Sequence, residues 1–168
     1  MLYCPNCGLE VAETDLFCRR CGTDLAKVQP VSSTPEGMVK ALLSQRVDGI
    51  KRKNTETILS LIDGDHYSKY DDWPPWERQA QDALKREAEA FEVLKDYAYE
   101  TSDWKIDIFN DAAAASFTIR YRGSIRGRGF DIKSRVSAFL IQQGDKWKLV
   151  HEHWSRFPES ERRRWLPI

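Results

Sequence analysis

All four cysteines of this 168-residue chain fall within its first 21 positions, as Cys4-x2-Cys7 and Cys18-x2-Cys21 separated by ten residues. A Cys-x2-Cys pair brings two sulfurs from one tight turn to one point, and two such turns close a tetrahedral thiolate cage around a metal. Each pair is followed by a glycine, Gly8 and Gly22, as a backbone wrapping a metal often needs a residue tolerant of positive φ. Four protein ligands leave no open coordination position. The spacing therefore predicts one structural Zn2+ per chain, held by Cys4, Cys7, Cys18 and Cys21, which folds a segment too short for a core of its own. Disulfides or a redox pair are the alternative. A doubled motif with matched glycines argues against redox chemistry, and metal-ligand spacing without an apolar leader before Tyr3 predicts a reducing, cytoplasmic setting in which disulfides are rare.

The runs Cys4-Pro5-Asn6-Cys7-Gly8 and Cys18-Arg19-Arg20-Cys21-Gly22, with Tyr3 and Phe17 one place before each pair, resemble the two knuckles of the short zinc-ribbon family. The resemblance covers roughly residues 2–25. Residues 26–35 have the Pro, Ser and Thr content of a linker. The expected organisation is a zinc ribbon over 1–25, a linker over 26–35, a second domain over 36–157 and a tail over 158–168. That tail is either a frayed terminus or a docking arm.

The second domain opens with helix signals. Thr34 suits an N-cap and Pro35 the first helical position. Val39, Leu42, Leu43, Val47 and Ile50 then recur at helical spacing. Asn54 or Thr55 suits the cap of a short second helix through Ile58, Leu59 and Ile62. The stretch from Asp65 to Pro75 reads as irregular. Trp76, Ala80, Ala83, Leu84, Ala88, Phe91 and Leu94 lie on one helical face and predict a third helix over roughly 76–97. The period then changes to two, in runs around Trp104–Ile108, Ala115–Tyr121, Val136–Leu140 and Trp147–His151, with turn chemistry at Asn110-Asp111 and Gly144-Asp145. Helices followed by a meander of strands predict an α+β fold, with an antiparallel sheet covered on one face.

The closing run Trp147-Lys-Leu-Val-His151-Glu-His153-Trp-Ser155 is similar to the last hairpin of the SnoaL-like group, in the cone-shaped superfamily of nuclear transport factor 2 and ketosteroid isomerase. What the resemblance implies is a cone: a curved antiparallel sheet covered by about three N-terminal helices, with a pocket between them and pairing into a homodimer through the outer sheet face. It does not imply one function. The steroid-isomerase pattern of a Tyr and two Asp cannot be placed here residue by residue. Two classes of function stay open. One is a non-enzymatic module that binds a small hydrophobic ligand or a protein, with the ribbon as adaptor; the other is a small enzyme using the pocket for acid/base chemistry. Structural zinc modules commonly mediate contacts, which favours the first.

His151 and His153 share a strand face with Trp147 and Leu149 if alternation is unbroken. That phase lines the concave wall with both imidazoles, and Tyr67, Tyr70 and Trp76 close the mouth opposite. The apolar Val150 and Trp154 in the other phase pull against it. Either histidine could instead tie the sheet to the helices by a buried hydrogen bond, and an H-x-H on a strand could hold a metal, though no third ligand is evident.

Formal net charge is zero, so there is no chain-wide electrostatic case for nucleic acid. Residues 36–103 hold ten basic against fifteen acidic side chains, and 104–168 thirteen against seven. Such an asymmetry marks either a binding face or two faces that complement one another. Arg120, Arg122, Arg126, Arg128, Lys133 and Arg135 gather around a turn at Gly123–Gly129. They form either a solvated hairpin or, as a minor alternative, an anion or nucleic-acid contact. No stretch reaches the roughly 20 apolar residues of a membrane span.

Overall fold

The computed structural model describes residues 2–4, 10–12, 15–25, 34–80 and 82–158. At the N-terminal end a two-stranded antiparallel sheet pairs β1 (Leu2–Tyr3) with β2 (Glu10–Val11). Cys4, Val11, Cys18 and Leu25 form a small buried cluster of their own. Most of the expected linker, residues 26–33, and all of the tail beyond Pro158 lie outside the described residues.

The helices start where their caps put them. α1 (Pro35–Arg52) has Thr34 accepting the Gly37 N–H at 3.2 Å, with Pro35 in the first turn. α2 (Thr55–Leu61) is capped by Asn54, whose Oδ1 accepts the Thr57 N–H at 2.9 Å. Val39, Leu42, Leu43 and Val47 of α1 and Ile58 of α2 enter the core as their spacing predicts. The two helices cross closely at Gly49, where an added Cβ would lie 2.6 Å from Ile58 Cγ1. Gly49→Ala is expected to destabilise the domain by about 1–3 kcal/mol through overpacking, although alanine is the better helix former. Urea denaturation checks this, and an unchanged midpoint would refute it.

The third helix is shorter than its periodicity suggests. α3 covers Asp82–Val93, not 76–97. At its N-terminal side, Lys69 and Gln79 exchange two backbone hydrogen bonds of 2.9 Å, which draws the chain after the cis Pro74-Pro75 bond into extended form. Trp76 consequently stands 73% exposed instead of facing the core. At the other end, Leu94 already belongs to a strand.

The strands are β3 (Ser68–Tyr70), β4 (Leu94–Phe109), β5 (Ala112–Ile125), β6 (Arg128–Gln143) and β7 (Lys146–Arg156). They form one curved, unclosed sheet in the order β3-β7-β6-β5-β4. All pairs are antiparallel except β3 with β7, which is parallel and places a strand in the segment that read as irregular. Asn110, Arg126 and Gly144 take positive φ at the three hairpin turns. Alternate residues of β5 and β6 point inward: Ala113, Ala115, Phe117, Ile119 and Tyr121 on one, Ile132, Ser134, Val136, Ala138 and Leu140 on the other. β4 carries two register shifts against β5, between Lys95 and Ala98 and between Ser102 and Lys105. Asp96 and Asp103 lie inside them with positive φ.

β7 contains the irregularity that matters most for the site. Leu140 pairs with Leu149 and Phe139 with His151, so Val150 is an extra residue. Such a bulge shifts the alternation by one. Trp147 and Leu149 point inward before it, and Glu152 and Trp154 point inward after it.

Candidate functional site

Between the helices and the concave face of the sheet lies a cavity of about 370 Å³. α3 contributes Ala83, Glu87 and Phe91, the sheet contributes Tyr97, Tyr121 and Trp154, and the segment after β3 contributes Asp72 and Trp73. The wall is therefore mostly apolar and aromatic, with a few polar groups converging on it, which is the composition of a small-molecule site.

Asp72 is the polar centre of that wall. It is 4% exposed, and its Oδ2 accepts the Tyr121 hydroxyl at 2.7 Å and the Ser134 hydroxyl. Trp73 Nε1 donates to the Tyr121 oxygen at 3.0 Å, completing a chain from indole to phenol to carboxylate. Oδ1 accepts no hydrogen bond from the described residues, while Asp72 lines the cavity. Burial raises the Asp72 pKa, against the two hydroxyl donors that favour its charged form. The Tyr121 phenol is pushed up by burial and by the Asp72 charge, and the Tyr97 phenol by burial and by Glu87. Both remain neutral donors at physiological pH.

Behind the cavity lies a buried ionic network. Arg46 of α1, 1% exposed, grips Glu87 of α3 through two bonds of 2.7 and 2.8 Å and Glu152 of β7 through bonds of 2.8 and 3.1 Å. Glu152 also accepts the Tyr67 hydroxyl and, at 2.8 Å, Trp154 Nε1. Lys69 of β3 reaches Glu87 at 3.0 Å and Asp71 at 2.8 Å. Burial alone would raise the Glu87 pKa, but Arg46 and Lys69 outweigh it and hold the carboxyl down at about 2. Glu152 is lowered by the same cations against the same penalty. Among the described residues no buried side-chain polar atom lacks a partner, so each buried nitrogen and oxygen of the network is hydrogen-bonded.

The five pocket residues expected from sequence divide differently. The expectation that both imidazoles line the concave wall is corrected: the Val150 bulge turns His151 and His153 to the outer face and gives their inward places to Glu152 and Trp154. Tyr70 accompanies them there, its ring 6.0 Å from His151 and 5.5 Å from His153. His151 shares a 2.9 Å hydrogen bond with Ser68, and burial and the neighbouring His153 lower its pKa. Tyr70, Trp76 and His153 border a separate groove of about 340 Å³, which meets the inner cavity at Asp71, Asp72 and Trp154. Tyr67 is buried at 3% and belongs to the ionic network instead of the cavity mouth.

Asp72, Lys69, Arg46, Glu87 and Glu152 were not singled out from the sequence. Arg46 interrupts the apolar face of α1 with a charge, at i+3 from Leu43 and directly before Val47, and that is the one signal that could have found the network.

In the ribbon, the sulfurs of Cys4, Cys18 and Cys21 lie within 4.8 Å of one another, with Cys4 and Cys21 at 3.5 Å. Sulfurs on one tetrahedral Zn2+ are separated by about 3.8 Å, so these three thiols fit three of its ligands. Cys7 and Gly8 lie outside the described residues. Gly22 has φ +71°, and its N–H donates to the Cys18 carbonyl at 2.8 Å, the turn expected after the second pair. On the basic hairpin, Arg120 and Arg122 point outward, and Arg120 is paired through two 2.8 Å bonds to Asp131 across the strands. Among the described residues no helix is long and apolar enough to cross a membrane.

Residues 3–25 match the zinc-ribbon domain family, and residues 39–160 match the SnoaL-like domain family. No curated protein sequence matches the chain. Among solved structures, a candidate dehydratase of the NTF2-like family from Streptomyces avermitilis has TM-score 0.65 at 17% identity, over 73% of this chain and 96% of that one. A candidate ketosteroid isomerase from Shewanella frigidimarina has TM-score 0.58 at 16% identity, over 73% and 96%. The CaMKII hub of S. rosetta has TM-score 0.64 at 13% identity, over 76% and 100%. At these identities the likeness is one of fold. The chain belongs to the SnoaL-like domain family and carries a zinc-ribbon domain at its N-terminal end.

Proposed function

We propose that the protein is a small-ligand-binding module whose zinc ribbon, holding one structural Zn2+, serves as an adaptor for a protein contact. The observation that carries this reading is the cavity of about 370 Å³, with Asp72 and Tyr97 among the polar groups of a mostly apolar and aromatic wall. The fold neighbours bear names from enzymes and from an assembly hub, so fold likeness does not choose between roles. A neutral fluorescent dye, N-phenyl-1-naphthylamine, is expected to bind at one site per chain. Ala90, which lines the cavity from α3, is the place to block it: Ala90→Phe is expected to weaken dye binding more than tenfold without unfolding the domain. Absence of saturable dye binding would remove the reading.

A second reading, acid/base catalysis, is favoured by Asp72 itself. A buried carboxyl with a raised pKa beside a cavity is a common form of general acid or base. Turnover of a bound metabolite, lost in Asp72→Asn, would favour the enzyme; binding retained without turnover favours the module.

Pairing into a homodimer is part of the same proposal. Phe139, 51% exposed, stands on the outer sheet face beside His151, their rings 6.2 Å apart. Light scattering should give a dimer mass, and a monomer mass would count against pairing.

A further inference from the structure

We propose that the cavity takes a cationic ligand, a protonated or quaternary amine on an apolar skeleton, with its charge set against Asp72 inside a box of aromatic rings. This rests on the reading of the cavity as a small-ligand site and names the chemistry of its occupant.

The first support is the charge inventory. The ionisable side chains that line the cavity, apart from the tyrosines, are Lys69 and Arg86 against Asp71, Asp72 and Glu87. Lys69 is engaged by Asp71 and Glu87. Arg86 is engaged by Asp82 at 2.9 Å and by Gln79 at 2.8 Å. The deeper pair of Arg46 and Glu152 adds no net charge. One negative charge is in surplus, and Asp72 is the lining carboxylate with no cationic group within 4 Å among the described residues. Arg156 is the nearby cation left over. It lies over the Trp73 ring at 4.6 Å, borders the outer groove that Asp72 also lines, and favours the Asp72 charge from beyond ion-pair distance without lining the inner cavity.

The second support is the protonation chemistry at Asp72. Two hydroxyls donate to Oδ2 and favour the carboxylate against the burial that raises its pKa, and Oδ1 accepts no hydrogen bond from the described residues. A neutral apolar occupant would strip water from that carboxylate and give nothing in return. A ligand cation removes the penalty by pairing.

The third support is the wall. Trp73, Tyr97, Tyr121, Phe130 and Trp154 all line the cavity. Three neighbouring pairs meet steeply, Trp73 with Phe130 at 77°, Tyr121 with Phe130 at 63° and Tyr121 with Trp154 at 81°, while Tyr97 lies tilted at 33° to Tyr121. Rings set near right angles form adjoining walls of a box, the arrangement that receives alkylammonium groups through cation–π attraction.

The test compares benzyltrimethylammonium with neopentylbenzene, which has the same shape with carbon in place of the charged nitrogen, as competitors of the bound neutral dye. The expected result is displacement by the cation at a concentration at least tenfold lower than by the neutral isostere, with the preference abolished in Asp72→Asn. The wild-type comparison decides the matter even if that variant fails to fold. Equal or better displacement by neopentylbenzene overturns the proposal and leaves the ligand-binding reading standing. Displacement by neither overturns it as well. A protein that fails to bind the dye at all defeats the reading of the cavity together with this one.

Discussion

Arg46→Met is expected to destabilise the SnoaL-like domain by about 3–5 kcal/mol, the cost of leaving buried charges without their partner. The reason is geometric: one guanidinium of α1 satisfies both Glu87 of α3 and Glu152 of β7. Removing it leaves two carboxylates facing each other with Lys69 alone to compensate Glu87. The double variant Arg46→Met, Glu152→Gln should recover part of the loss, because it deletes one of the two stranded charges. Urea unfolding of the three proteins measures this, and a single variant within 1 kcal/mol of wild type, by the ~1 kcal/mol scale of ordinary substitutions, would show that the network is not integral to the fold. The same network sets an acid limit. Glu87 is held at about 2 and Glu152 is also lowered. Groups whose folded pKa is depressed contribute stability that is fully present above their unfolded value near 4.5 and is lost as pH falls through the folded value. Stability should therefore decline between about pH 4.5 and 2, by about 3 kcal/mol for Glu87 alone. Arg46→Met should flatten that decline.

Stripping the metal is expected to unfold the ribbon and leave the cone intact. Structural Zn2+ contributes about 10–16 kcal/mol of apparent binding free energy in small finger peptides, far more than a few buried side chains supply. The ribbon's buried cluster holds Cys4, Val11, Cys18 and Leu25, and the cone's core contains none of them. Elemental analysis should find one zinc per chain, reduced in Cys18→Ser. After chelation the sheet signal in circular dichroism and the melting of the cone should persist. Iron in place of zinc, or a cone that melts together with the ribbon, would refute this.

The parts of the fold that could be read from sequence are those governed by local periodicity. The caps at Thr34 and Asn54, the apolar stripe of α1 and the alternation of β5 and β6 all appear where their residues put them. What could not be read depends on partners far away in sequence. Gln79 sits in a helical pattern, yet its backbone is claimed by Lys69 across the chain. His151 and His153 alternate with Trp147 and Leu149 on paper. Val150 inserts a step, because Phe139 and Leu140 take their partners from either side of it. That single residue exchanged two histidines for Glu152 and Trp154, and with them the identity of the site. The conflicting signal was present, in the apolar Val150 and Trp154 of the wrong phase. Asp72 gave no signal at all, since Tyr121 and Ser134 reach it only through the closed sheet.

The long outer strand β4 ends the sheet with one side unpaired in the described structure. A regular, flat edge of that length would invite a second chain to continue the ladder. The two interruptions at Asp96 and Asp103 divide it into short runs, and each places an acidic residue in a left-handed turn where an incoming strand would need straight backbone. The irregularities of β4 are thus expected to act against fibrillar stacking through this edge.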